Sequence, residues 1–425
     1  MRSSSTASSR SRWKAPLAKA FETARAPGAG PSSPALDAAA IEALVAGEPA
    51  WLRDIRHGAF SRFEAIAGPT DRTEGWRRLE LAHADLTPVT PETSHFTLSV
   101  ADADRAKGVV ATTIAQALAS HEPLVREALL HARSGRTVGK YSALAEAVWQ
   151  GGAFVHVPDG VELTAPITAT VRAGTYPRLI VAVGKNSRAA IAEAHHESGR
   201  FVSGLSDIIV GDDSHLTYAH IQECGTQTVV FSHQHARVGS GAKLVTLNFG
   251  AGGALAKNDV EVELLGRGAE SDMLGLVFAR GKQQFDYHTL QGHRATDTRS
   301  DLLFKSALDD HAHSIYTGVI VIEKGAQRSD AYQANRNLLL AEGARADTEP
   351  KLEIEADDVR CTHGATVGPI DADQLFYLAS RGMDRETASR LIVEGFFQDV
   401  LDKTGDERLT QPLQKTFAPH LEREA

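Results

Sequence analysis

The chain has 425 residues with a formal net charge of −9, and 42% of its residues are hydrophobic. This length predicts two or three domains, and the negative charge argues against a nucleic-acid binder that relies on a basic surface. The sequence has no apolar run of about eighteen residues, so we expect no membrane-spanning helix and no membrane partner. The two cysteines, Cys224 and Cys361, are too few for a disulfide framework and indicate a reducing compartment. We therefore expect a cytoplasmic protein.

Residues 1–34 are predicted to be a disordered tail and linker. The first twelve residues are rich in Ser and Arg, and a Pro, Gly and Ser linker follows at 26–34. An organellar transit peptide is an alternative interpretation of the same Ser/Arg-rich composition. Residues 35–150 are predicted to form an N-terminal helical region, because apolar residues recur there at helical spacing, as in Leu52, Ile55, Ala59 and Phe63.

Residues 151–370 change to short β-rich runs, and turn-like clusters at 184–187, 211–214, 239–242 and 266–269 recur about every 27 residues. A period in this range indicates a stacked repeat. No helix-length pattern lies between the runs, which disfavours a doubly wound sheet. The fold class predicted is mainly β, with a central parallel, right-handed β-helix flanked by N-terminal and C-terminal α-helical regions.

The end of the predicted β-helix carries the most informative pair of side chains. Cys361 and His363 are two residues apart on a predicted strand, so both should point to one face and could share a metal ion. Gly364 and Gly368 are expected to end this strand. A lone Cys-x-His pair is a weak metal signal, and a buried structural cysteine is the alternative. The last coil of a solenoid must be capped or must pair with another chain, which favours an interface.

Residues 371–425 are predicted to form a C-terminal helical region, with a first helix that stops at Gly382. Three short segments form a small unit in which to bury Phe396, Phe397 and Phe417, so either a self-packed cap or docking to a partner is expected.

Other candidate chemistry receives less support from the sequence. The histidine pairs at 195–196, 233–235 and 311–313 lack nearby thiolates or acids at ligand spacing and are not predicted as metal sites. Cys224 is interpreted as structural. A phosphate-binding loop, a nucleophile elbow and a zinc-protease helix are missing from the sequence, so no nucleotide site and no catalytic residue is predicted.

Two stretches of the chain resemble the SufB/SufD family of SUF iron-sulfur cluster assembly proteins, and its SufD branch in particular. The C-terminal stretch is residues 352–368 together with Asp371 and residues 375–382, and the N-terminal stretch comprises residues 48–52, Arg56, Phe63, Pro69 and residues 75–77. The SufB branch carries His-Glu-Ala where this chain has His363-Gly364-Ala365. Thr362 departs from the Ser that is frequent in the SufD branch.

The resemblance implies a non-catalytic subunit of a SufBCD-type complex. It implies pairing with a SufB-like scaffold, and docking of a SufC-like ATPase to residues 371–425, so that ATP is handled by the partner. His363 and Cys361 would be ligands of iron or of a transient iron-sulfur cluster shared with the partner chain. A homodimer remains an alternative, and a polysaccharide-acting or purely structural β-solenoid is the rival from another class.

Overall fold

The structure is a computed structural model, and it describes residues 36–197 and 199–421. The predicted tail and linker, with its alternative as a transit peptide, lies outside the described residues. None of the described helices has the length and apolar character needed to cross a membrane.

The described residues are mainly β and form a parallel β-solenoid of about eight turns, as predicted, with helices before and after it. The strands in chain order are β1 (Phe96–Ser99), β2 (Val110–Thr113), β3 (Ala153–Val157), β4 (Ile167–Val171), β5 (Arg178–Val183), β6 (Arg188–His195), β7 (Phe201–Val210), β8 (His215–Cys224), β9 (Val229–Val238), β10 (Lys243–Gly252), β11 (Leu255–Leu264), β12 (Glu270–Ala279), β13 (Gln284–His293), β14 (Arg299–Leu308), β15 (His313–Ile322), β16 (Asp330–Leu339), β17 (Arg345–Ile354) and β18 (Arg360–Pro369). The α-helices are α1 (Ala38–Val45), α2 (Ala50–Ala65), α3 (Asp102–Arg105), α4 (Ile114–Arg133), α5 (Lys140–Val148), α6 (Ala372–Ser380), α7 (Arg385–Thr404) and α8 (Glu407–Leu421).

Two nine-stranded sheets face each other across the solenoid interior. Sheet A has the order β1-β4-β6-β8-β10-β12-β14-β16-β18, and sheet B has the order β17-β15-β13-β11-β9-β7-β5-β3-β2. Pairing is parallel except at the N-terminal end, where β1 pairs antiparallel with β4 and β2 pairs antiparallel with β3. Alternate residues of both sheets meet in one interior core, which includes Val181, Leu244, Val262 and Phe304.

Four of the turns between strands are alike because each contains one residue in the left-handed region. Asn186, Asp213, Gly241 and Gly268 have φ values of 54°, 55°, 61° and 69°. Each is the third residue of one of the four predicted turn clusters. Gly, Asn and Asp tolerate this backbone better than other residues, which explains the regular spacing seen in the sequence.

The helices cover the outer faces of the two sheets. The N-terminal helices pack on sheet B, where Tyr141 stacks on Phe231 with ring centroids 3.9 Å apart. The C-terminal helices pack on sheet A, where Phe397 and Phe417 are buried against residues such as Leu276. The outer face of sheet A thus supplies apolar surface for these phenylalanines, a packing that neither sequence-based alternative, a self-packed cap or docking to a partner, had included.

Candidate functional site

Cys361 and His363 lie on β18, the last strand of sheet A. Cys361 is in register with Ala331, and His363 is in register with Gln333. Gln333 in turn is in register with Leu302, a residue of the interior core. Cys361 and His363 therefore share the inward face of β18, which confirms the prediction that they point the same way.

The prediction that Gly364 and Gly368 end this strand was wrong. Gly364 and Gly368 continue the strand, in register with Ala334 and Leu338, and β18 runs to Pro369. The ladder with β16 holds both glycines extended, so they make no turn. Proline has no amide hydrogen to donate, which suits the end of an edge strand.

The environments of Cys361 and His363 differ. Cys361 is partly buried and packs with Val359 against a small apolar cluster that contains Ile320, Ile322 and Ala331. Burial raises the pKa of the Cys361 thiol, and the nearby carboxylate of Asp330 adds to this effect. The thiol is therefore neutral near pH 7, and binding a metal would release its proton.

His363 is exposed at the same end of the solenoid. Few neighbouring groups hold its imidazole ring in one orientation. A neutral imidazole and a thiolate both suit iron, whereas an iron-sulfur cluster usually has four protein ligands. Cys361 and His363 thus fit iron chemically, but they supply only part of a ligand set.

The end of the solenoid around this pair is open. β17 and β18 are the last strands of sheets B and A, and the described residues supply no further strand on their outer edges. The inward-facing side chains of Leu352, Ile354 and Val367 are 37%, 40% and 45% exposed. We call the surface formed by β17 and β18 the open end. Two ten-residue edge strands with exposed apolar side chains form a template for pairing with another chain.

A second exposed apolar surface follows immediately on α6. This helix has no buried residue, and Phe376 and Tyr377 are 75% and 56% exposed. Asp371 caps the helix by accepting from the backbone amides of Asp373 and Gln374. The helix is therefore well formed locally, with Leu375 and Leu378 partly buried and its two aromatic side chains exposed.

One group of metal-ligand residues was not predicted as a site from the sequence. Glu193, His195 and His220 converge inside the solenoid, with one potential ligand atom from each residue within 4.8 Å of the others. His195 was weighed only with its neighbour His196. The repeat could have indicated this group from the sequence, since His220 follows Glu193 by 27 residues and lies beside it on the next coil.

The other two histidine pairs differ from each other in the structure. His233 and His235 lie on one face of β9 and contact Glu261 and Glu263, respectively. His311 lies in a turn, so it does not share a strand face with His313. Cys224 is buried, in agreement with its structural interpretation.

The structure is thus a parallel β-solenoid whose last coil leaves two edge strands unpaired among the described residues, with Cys361 and His363 on one of them. Residues 167–396 match the family model described as "SUF system FeS cluster assembly, SufBD core domain". The chain belongs to this SufBD family.

Several curated relatives have the same family name or the name SufD. An iron-sulfur cluster assembly SufBD family protein of Mycobacterium tuberculosis is 33% identical over 269 residues, which cover 60% of this chain and 67% of the relative. The iron-sulfur cluster assembly protein SufD of Bacillus subtilis is 27% identical over 410 residues, covering 86% of this chain and 93% of the relative. SufD of Escherichia coli is 30% identical over 216 residues, 51% of each chain. The chain is thus a homologue of SufD proteins, and iron-sulfur cluster assembly is the process in which its family takes part.

Proposed function

We propose that this chain is a non-catalytic subunit of a SufBCD-type complex, and that its open end pairs with a SufB-like scaffold. The observation that carries this proposal is the position of Cys361 and His363 on the inward face of an unpaired edge strand. A partner strand added to β18 would bring its own side chains next to both residues.

The nascent cluster, or the iron that enters it, is the cargo of this interface. His363 is the first candidate ligand because it is exposed, and Cys361 is the second because it must lose a proton before it binds. The partner would supply the remaining ligands, since this chain offers two at this end. The same edge could pair with a second copy of the chain when the scaffold is scarce.

A SufC-like ATPase would dock through residues 371–425. The support for this part of the proposal is the exposed pair Phe376 and Tyr377 on a helix with no buried residue. Aromatic side chains of this kind are common anchors at the centre of protein interfaces. ATP hydrolysis would take place on the ATPase, and the movement would reach the open end through the adjoining helix and strand.

The test of this function is substitution of His363 in cells that depend on this chain for iron-sulfur proteins. His363→Ala should lower the activity of a reporter iron-sulfur enzyme at least about tenfold, as expected for loss of a metal ligand. Thr362→Ala is the matched control, because Thr362 lies on the opposite face of the same strand, and it should retain activity. Normal reporter activity with folded His363→Ala protein would remove His363 from the site.

A further inference from the structure

A fully buried cluster lies inside the solenoid, far from the open end. Glu193 and His195 are inward-facing residues of β6, and His220 on β8 is in register with Glu193. All three side chains are nearly inaccessible, at 1%, 5% and 3% exposure. Five strand pairings of sheet A separate β8 from β18, a distance of about 24 Å at the usual strand spacing.

His195 is held between two carboxylates. Its Nε2 lies 2.9 Å from Glu193 Oε1, and its Nδ1 lies 3.0 Å from Glu197 Oε1. Burial lowers the pKa of His195, but the charges of Glu197 and Glu193 outweigh this and raise it to about 10. In this state His195 carries a proton on each nitrogen, and the Nε2 proton occupies the space between His195 and Glu193.

Glu193 is fixed by further donors. Its Oε2 accepts hydrogen bonds from Ser206 Oγ at 2.6 Å and from the Tyr218 hydroxyl. Burial opposes its ionisation, but the charge of His195 lowers the pKa of Glu193 to about 2. Its Oε1 is thus held in place by the donors on the other oxygen and faces His195.

His220 provides the observation that hydrogen bonding alone does not explain. Its Nδ1 is buried and has no hydrogen-bond partner, and its Nε2 has only a long contact of 3.5 Å to Ser232 Oγ. A neutral imidazole has one nitrogen lone pair to donate, and neither ring nitrogen of His220 has a close hydrogen-bond partner. A buried polar nitrogen without a partner costs stability, and a bound ion is one of the groups that can satisfy such an atom in a native core.

We propose that Glu193, His195 and His220 bind one divalent transition-metal ion of the zinc or ferrous type. On binding, His195 Nε2 releases its proton to solvent and donates its lone pair to the metal, while Nδ1–H keeps its hydrogen bond to Glu197. Glu193 and Glu197 carry two negative charges, so replacing one imidazolium proton by a divalent ion changes the cluster from −1 to neutral. Two imidazoles and one carboxylate favour Zn²⁺ or Fe²⁺ over Ca²⁺ and Mg²⁺, which prefer oxygen ligands.

The surrounding residues have the arrangement that metal-binding histidines use. A ligating imidazole normally donates its second N–H to a carboxylate, which fixes the tautomer and the ring orientation. Glu197 is placed to do this for His195, and Ser206 and Tyr218 orient the ligand Glu193. The ion would join two adjacent coils from inside and remain with the protein. This site goes beyond the proposed function and does not rest on it.

The test uses the full chain with the open-end ligands removed, as Cys361→Ser with His363→Ala, so that metal bound there is not counted. The protein is produced in medium supplemented with Zn²⁺ and purified. Its zinc content is then measured by elemental mass spectrometry. About one zinc per chain is expected. His220→Gln should weaken zinc binding at least about 100-fold in a chelator competition, since loss of an outer partner alone costs about 10–100-fold.

His293→Gln is the matched control, because His293 is also a buried interior histidine but bonds to Thr298 and Ser300 instead of carboxylates. It should keep the zinc. A zinc-free parent protein, or a His220→Gln protein that keeps zinc with unchanged affinity, would overturn the proposal. If His220→Gln does not fold, the test is made on the parent protein, Cys361→Ser with His363→Ala. Its unfolding temperature should fall when a chelator removes the zinc. An unfolding temperature that does not change on chelation would overturn the metal site.

Discussion

The two ends of the solenoid differ in the length, pairing and exposure of their last strands. At the N-terminal end the terminal strands β1 and β2 are four residues long and pair antiparallel with their neighbours, and the inward-facing Ala111 of β2 is buried. At the C-terminal end both terminal strands are ten residues long, and inward-facing Leu352 and Ile354 are exposed. Short strands are a common way to protect an edge from pairing. One end is thus closed by short strands of the chain itself, whereas the other keeps two long edges open, and this is the end where we propose that a partner binds.

The largest expected effect comes from the buried charges that attach the N-terminal helices to sheet B. Asp207 lies 3.0 Å from Arg136 Nη1 and also pairs with Arg178, and all three residues are buried. Asp207→Asn would leave two buried guanidinium groups short of a counter-charge. It should lower the free energy of unfolding by about 3–5 kcal/mol in urea titrations. Asp212→Asn, at an exposed pair with Lys185, is the control and should have little effect.

A matched pair of isoleucines compares the packed middle of the solenoid with its open end. Ile208 and Ile354 both lie on the inward face of sheet B, but they are 1% and 40% exposed. Ile208→Ala should cost about 2–5 kcal/mol because it leaves a cavity in a packed core. Ile354→Ala should cost less than about 1 kcal/mol in the isolated chain, because its site is partly solvated. Equal losses in the two variants would contradict the claim that the open end is less well packed than the interior.

The dependence of stability on pH should come partly from Asp286, which also ties the N-terminal region to sheet B. Asp286 lies 2.7 Å from Lys257 Nζ, and Lys257 in turn donates to the backbone oxygen of Gly75. Burial raises its pKa, but His288 and Lys257 outweigh this and lower the pKa of Asp286 to about 2.

Because this folded-state pKa lies below the unfolded value of about 3.9, Asp286 contributes stability above that pH and loses it as the pH falls toward 2. The free energy of unfolding should therefore drop by about 2–3 kcal/mol from this group between pH 5 and pH 2. Asp286→Asn should show a shallower slope over the same range in urea titrations. An unchanged slope would mean that the acid sensitivity arises elsewhere.

The solenoid was predictable because its turns need left-handed residues at fixed spacing, and Asn, Asp and Gly report such positions in the sequence. The pattern is weak in β13, since its inward residues include Thr289, Gln291 and His293, and a polar interior removes the apolar alternation that marks a strand. The short strands β1 and β2 were missed because they pair antiparallel with strands distant in sequence.

The common face of Cys361 and His363 followed from strand periodicity alone, whereas the extent of β18 did not. Gly364 and Gly368 are poor strand residues in isolation, and only the ladder with β16 keeps them extended. The cluster of Glu193, His195 and His220 depends on exact stacking of two coils, which a coarse period of about 27 residues does not resolve.

The most direct test of the open-end account is native mass spectrometry after co-expression with SufB-like and SufC-like proteins of the same genome. We predict a complex with one copy of this chain, one SufB-like chain and two SufC-like chains. Val367→Asp at the open end should release the SufB-like chain, and Phe376→Ala should release one SufC-like chain, while Leu130→Ala, an exposed apolar control on α4, should release neither. A monomer that binds neither protein would contradict the proposal that these proteins are its partners.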